Sequence, residues 1–120
     1  MSTKRSILVI EDNHDMRVCL RQQLEDEGFR VVSVANGKDA LKLISSGLKP
    51  DSIVVDLEMP IMSGYQFLKE KTKFPGLDET PVTVISGDIP ADSVDDYDFF
   101  AKPFNWEYFT DHLKHQTHFQ

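Results

Sequence analysis

Ser52-Ile53-Val54-Val55-Asp56-Leu57-Glu58-Met59-Pro60-Ile61-Met62-Ser63-Gly64 decides the fold of this 120-residue chain. A short apolar run ends abruptly in a carboxylate, so Asp56 falls where a buried strand reaches the surface. Three other apolar runs end in the same manner. Ile7-Leu8-Val9-Ile10 runs into Glu11-Asp12, Val82-Thr83-Val84-Ile85 into Ser86-Gly87, and Phe99-Phe100-Ala101 into Lys102-Pro103. In an open parallel α/β sheet, ligands bind outside the carboxyl ends of the strands. An acid pair, a lone acid, a hydroxyl and a lysine delivered in that order describe a site for a dication and a phosphoryl group.

Between these runs the apolar period changes from continuous to helical. Strands are predicted over 6–11, 30–35, 53–56, 82–86 and 99–101. Met16, Leu20 and Leu24, spaced by four, predict a helix over 14–27 that Gly28 ends. Asn36-Gly37 turns into a helix over 38–46, with Ala40, Leu41 and Ile44 inward and Gly47 as its stop. A helix over 64–73 turns Phe67 and Leu68 to the sheet and ends at Phe74-Pro75-Gly76. Asn105 is a good N-cap for a last helix carrying Trp106, Phe109 and Leu113. Continuous apolar strands separated by helices mean a parallel sheet covered on both faces.

Composition narrows the function classes. One domain over residues 1–120 is expected, with 40% hydrophobic residues to build a core. No apolar run approaches the roughly 18 residues of a membrane span, and Ile7–Ile10 is too short for a signal peptide. The expected location is therefore the cytoplasm, with no membrane partner. The net charge of −7 argues against direct nucleic-acid binding, which needs clustered cations. Cys19, the single cysteine, excludes an internal disulfide and reads as a buried structural thiol beside Leu20.

Three converging acids raise one another's pKa and cannot all ionise cheaply. A hard dication relieves that repulsion, and oxygen donors suit Mg²⁺, which also accepts phosphate oxygens. Asp56 can then remain anionic and attack phosphorus, giving an aspartyl phosphate. The transferred group presents three equatorial oxygens. Mg²⁺ suits one, Lys102 a second and the Ser86 hydroxyl a third.

On these residues the sequence resembles the receiver domain of bacterial two-component response regulators. Asp56-x-x-Met59-Pro60-x-Met62-x-Gly64 matches that family's phosphorylation stretch, Glu11-Asp12 its acid pair, Ser86-Gly87 its hydroxyl and small residue, and Lys102-Pro103-Phe104 its Lys-Pro-Phe. The resemblance covers essentially the whole chain. It implies a three-layer (βα)₅ doubly wound, flavodoxin-like sheet with strand order 2-1-3-4-5, which brings Glu11, Asp12 and Asp56 together. By the same resemblance, Asp56 accepts a phosphoryl group from a phosphohistidine on a sensor histidine kinase or a histidine phosphotransfer protein. Asp12 and Asp56 ligate Mg²⁺ by side chain, Glu11 directly or through water, and Glu58 through its carbonyl. Ser86 and Phe99 are the switch pair, and a downstream output protein or fused output domain reads the switch. The chain is then no metabolic enzyme, beyond catalysing its own phosphorylation and slow dephosphorylation. It is a stand-alone receiver or a fragment of a longer protein.

Two features depart from the family. Lys102 follows Ser86 by 16 positions, sooner than is usual there, so the fourth helix is expected to be short or missing. Residues 87–98 include Asp88, Asp92, Asp95, Asp96 and Asp98 with no base, the composition of a solvated loop. Glu58 lies two after Asp56, and Asp88 two after Ser86, both within reach of a phosphoryl group. A small Mg²⁺-dependent phosphatase of the haloacid dehalogenase type also uses an aspartate after an apolar strand. Its second Asp is replaced here by Glu58, and there is no room for a cap domain. A degenerate receiver that binds partners without phosphorylation usually lacks the aspartate or the lysine, and both are present. The Lys102–Pro103 bond is expected to be cis, since X–Pro loses only about 0.5–1 kcal/mol in that form. His112, His115 and His118 recur every three residues, and a wet helix face is the expected reading over a zinc site.

Overall fold

In the computed structural model, which describes residues 4–59, 61–87 and 97–117, each apolar run forms a strand of one parallel sheet. The strands are β1 (Ser6–Ile10), β2 (Arg30–Val34), β3 (Ser52–Asp56), β4 (Val82–Ser86) and β5 (Asp98–Ala101). The helices are α1 (His14–Asp26), α2 (Gly37–Ser45), α3 (Gly64–Lys71) and α4 (Trp106–Gln116). The sheet order is β2-β1-β3-β4-β5 and every pairing is parallel. The central strands β3 and β4 are buried along their whole length, while edge strand β5 is mostly exposed. That contrast explains why Ile53–Val55 reads as an unbroken apolar run and Val82–Ile85 as one interrupted only by Thr83, which is itself buried.

Strand alternation divides the core into two layers. Leu8, Ile10, Ile53, Val55, Val82 and Val84 face α2 and α3, packing with Ala40, Ile44, Phe67 and Leu68. Ile7, Val9, Val31, Val54 and Ile85 face α1 and α4, packing with Leu20, Leu24, Phe109 and Leu113. Burying each such large side chain stabilises the fold by about 1.5–3 kcal/mol.

Local chemistry sets the element ends. Asn13, Asn36 and Asn105 cap α1, α2 and α4, each side chain accepting from the backbone N–H three residues on. Ser63 and Gln66 form a reciprocal capping box at α3. Gly28 and Gly47 follow α1 and α2 with φ of 95° and 109°, a region costly for residues with a Cβ. The Lys102–Pro103 bond is cis. Helix α3 ends two residues before its predicted end, at Lys71, followed by the turns of 72–79.

Cys19 is exposed, not buried. The inward stripe of α1 is narrow and centred on Leu20 and Leu24, which leaves Cys19 on its flank. The histidines of α4 also depart from a uniform wet face. His115 is exposed, whereas half-buried His112 packs against the Phe100 ring at 5.2 Å and places Nε2 3.1 Å from Asp98 Oδ2. His118 lies outside the described residues. The short or missing fourth helix is expected within 87–98, of which 88–96 lie outside the described residues. Among the described residues no helix is long and apolar enough to cross a membrane.

Candidate functional site

Parallel register brings the strand ends to one level. Ile10 lies opposite Val55 across β1 and β3, so the residues that follow, Glu11 and Asp56, emerge side by side. Asp56 in turn lies opposite Ile85, and Ser86 opposite Ala101. The backbone N–H of Lys102 donates to the Ser86 carbonyl at 2.8 Å, which extends the pairing of β4 and β5 by one residue.

Glu11, Asp12 and Asp56 converge, each offering a carboxylate oxygen within 4.8 Å of the others. Asp12 is exposed, whereas Glu11 is 0% and Asp56 4% exposed. Lys102 enters from beyond β5 and bridges the two buried acids. Its Nζ lies 2.6 Å from Glu11 Oε1 and 3.0 Å from Asp56 Oδ2. Burial foremost, then the hydrogen-bonded neighbour Asp56, pushes the Glu11 carboxyl up to about 7, with partial relief from Lys102. Burial works against the Lys102 ammonium, yet its hydrogen bonds to Glu11 and Asp56 outweigh it and hold Lys102 above the ordinary lysine value.

Glu58 has two roles visible in the structure. Its backbone N–H donates to Asp56 Oδ1 at 2.9 Å, and its carboxylate accepts from the Ser86 hydroxyl at 2.6 Å. The resemblance implies a carbonyl role for Glu58 and its position a reach toward a phosphoryl group, but neither implies its contact with Ser86. Phe99 is 37% exposed at the edge strand, outside both core layers. Gly64 explains how α3 approaches so closely. A Cβ there would lie 2.5 Å from the Asp56 carbonyl oxygen, and the Gly64 N–H donates to Leu57 O.

One further side chain belongs to this corner. Arg17 reaches back from the first turn of α1, and its Nη1 donates to the carbonyls of Glu11 at 2.9 Å and Asp12 at 3.4 Å. Its spacing from the acid pair is the only signal in the sequence, and an arginine one turn into a helix is too common to single out.

The donor set is all oxygen, dense in negative charge, with a buried carboxyl that resists ionisation. These properties fit a small hard dication such as Mg²⁺, which would stabilise the ionised acids. The same corner holds the Asp56 carboxylate, the Lys102 ammonium paired to it and the Ser86 hydroxyl.

The family model described as "response regulator receiver domain" matches residues 7–114. The sensor histidine kinase CheAY of Helicobacter pylori is 30% identical over 115 residues, covering 90% of this chain and 14% of that protein. The C4-dicarboxylate transport transcriptional regulatory protein DctD of Rhizobium meliloti is 36% identical over 114 residues, covering 87% of this chain and 23% of that protein. The chain thus spans less than a quarter of the length of either relative. In fold it is similar to the receiver domain of sensor histidine kinase PA1611 from Pseudomonas aeruginosa, solved with a magnesium ion in the active site cleft. The TM-score is 0.84 at 22% identity, covering 97% of this chain and 99% of that one.

Proposed function

The chain belongs to the response regulator receiver domain family of two-component signalling, and from that premise we propose that Asp56 is its phosphoacceptor. The observation that carries this reading is the bridge of Lys102 to both Glu11 and Asp56 at the carboxyl ends of the sheet. A carboxylate oxygen of Asp56 attacks the phosphorus of a phosphohistidine. The phosphorus–oxygen bond forms as the phosphorus–nitrogen bond breaks, and the departing imidazole takes a proton. Lys102, already paired to Asp56 Oδ2, neutralises a phosphoryl oxygen as charge moves onto the group. Ser86 turns its hydroxyl from Glu58 to another phosphoryl oxygen. Glu58 N–H holds Asp56 Oδ1 and so orients the carboxylate.

Glu11, Asp12 and Asp56 by side chain, and Glu58 by carbonyl, are the proposed holders of Mg²⁺. When bound, the ion supplies charge neutralisation at the phosphoryl oxygens. The proposed donor is a sensor histidine kinase or histidine phosphotransfer protein, and the proposed reader is an output protein or attached output domain. The names of the relatives, a histidine kinase and a transcriptional regulator, support both. A domain over 1–120 acting in the cytoplasm, with Ser86 and Phe99 as its switch pair, completes the reading.

Incubation with acetyl phosphate and Mg²⁺, followed by intact mass measurement, tests it. One added phosphoryl group, absent in Asp56→Asn, is the expected result. Steady multiple turnover would indicate a phosphatase, and an unchanged mass a phosphorylation-independent binding module.

A further inference from the structure

We propose that Arg17 is a positioning residue that sets the aim of the acid pair, and thereby the Mg²⁺ affinity of the site. The inference rests on the phosphoacceptor reading. Glu11 and Asp12 follow the last residue of β1, where sheet pairing runs out. The Glu11 N–H still donates to Val34 O at 3.1 Å, but its carbonyl lies beyond the strand. Arg17 Nη1 takes that carbonyl at 2.9 Å and the next one at 3.4 Å, while Nη2 lies 3.4 Å from His14 Nδ1. Asn13 N–H donates to Glu11 Oε2 at 3.2 Å, and the Asn13 side chain caps α1.

The consequence is geometric. With both carbonyls drawn toward the guanidinium, the peptide planes of Glu11 and Asp12 are fixed, and their side chains are held toward Asp56. The guanidinium meets both carbonyls through Nη1 while Nη2 lies against His14, so its plane is held from two sides; a lysine ammonium, a single point donor on a flexible stem, does not span both contacts. Groups that orient metal ligands from behind typically change affinity by about 10–100-fold when removed. Arg17 touches the ligand residues through their backbone, so the lower end of that range applies.

Charge alone gives the opposite sign. A guanidinium near a dication site repels the dication, so deleting it on electrostatic grounds would tighten binding. The two effects therefore separate cleanly. Mg²⁺ affinity of the full chain is measured by calorimetry or by amide chemical shifts for the natural sequence, Arg17→Ala and Arg17→Lys. Thermal stability without Mg²⁺ is measured alongside. Both variants are expected to weaken Mg²⁺ binding about tenfold, with Arg17→Lys failing to rescue although it keeps the charge. The half-saturating Mg²⁺ for phosphorylation shifts by the same factor, while the rate at saturating Mg²⁺ stays within about twofold. Equal or tighter Mg²⁺ binding by Arg17→Ala, with normal binding by the natural sequence, overturns the positioning role alone. A natural chain that binds no Mg²⁺ overturns this role and the metal part of the phosphoacceptor reading together. Lost metal-free stability with unchanged Mg²⁺ affinity assigns Arg17 to structure and also overturns the proposal.

Discussion

Lys102 Nζ lies 2.6 Å from Glu11 Oε1, an ion pair between residues 91 apart in sequence, and the Glu11 end of it is fully buried. The lysine therefore has a structural duty besides its chemical one. Without it, two buried carboxylates face each other with no cation. Breaking a buried pair by removing one partner costs more than the pair contributes, because the remaining charge is stranded. Here Glu11 escapes part of that cost by taking a proton. Lys102→Met is accordingly expected to destabilise the metal-free domain by about 1–3 kcal/mol above neutral pH and by less in mild acid. Urea denaturation at two pH values measures both terms. Equal losses at the two values would contradict the assignment of Glu11 as the group that adapts.

Glu11 also gives the domain a pH dependence with an unusual sign. Its carboxyl is raised from 4.5 to about 7 in the folded chain. Between those values the folded state holds a proton that the unfolded state has lost. Stability from this group is therefore full below about 4.5, falls as pH climbs to about 7, and is level above that. Dication binding requires the ionised form, so it releases the proton and its affinity rises over the same window. Metal-free Tm is expected to fall from pH 5 to pH 8 through this group, and the stabilisation by added Mg²⁺ to grow. Replacing Glu11 by Gln should flatten both trends. A Mg²⁺ affinity independent of pH in this range would refute the account.

Gly64 tests the packing that holds Asp56 in place. A Cβ at this position would sit 2.5 Å from Asp56 O and 2.7 Å from Leu57 Cα, both backbone atoms that no side-chain rotation can move aside. Gly64→Ala must therefore push α3 from the end of β3. The expected loss is about 1–3 kcal/mol of stability, as for other overpacked positions. Because the displaced backbone carries Asp56 and the Glu58 N–H that orients it, slower phosphorylation is expected as well. Wild-type stability in this variant would mean the helix N-terminus has slack that the structure does not show.

Most of this architecture was legible in the sequence because strand ends carry both kinds of information. Val54 and Val55 run straight into Asp56, so the same residues that announce a doubly covered strand also announce a site. Register needed no guess, since in a parallel sheet the carboxyl ends share one edge, and Glu11, Asp56, Ser86 and Lys102 all lie there. What the sequence hid was side-chain direction. Cys19 and Leu20 are neighbours, yet a turn of about 100° separates exposed from buried. Glu58 reaches Ser86 across 28 positions, and His112 packs beside the exposed Asp98 of the edge strand, contacts that local spacing does not encode. Arg17 is hidden for a different reason. Its partners are backbone carbonyls, which leave no trace in residue type.

The contact between Glu58 and Ser86 gives a sign to the effect of Glu58. The Ser86 hydroxyl donates to the Glu58 carboxylate at 2.6 Å, so this carboxylate stands beside the donor that a phosphoryl oxygen is proposed to use. A phosphoryl oxygen taking the Ser86 hydroxyl must displace that carboxylate and is repelled by its charge. Glu58→Gln keeps an oxygen that can accept from Ser86 and removes the charge, leaving sterics nearly unchanged. Glu58 is solvent-exposed, so its field is weakened by water and salt. A unit charge a few ångströms away in a watery setting is then worth only a few-fold in rate, about three- to fivefold. Phosphorylation by acetyl phosphate should be faster in Glu58→Gln by that factor at low ionic strength, and the difference should narrow as salt is raised. Rates measured with excess Mg²⁺ at two salt concentrations decide it. An equal or slower rate for Glu58→Gln at low salt would mean that Glu58 assists the transfer by presenting Ser86, and does not repel the donor.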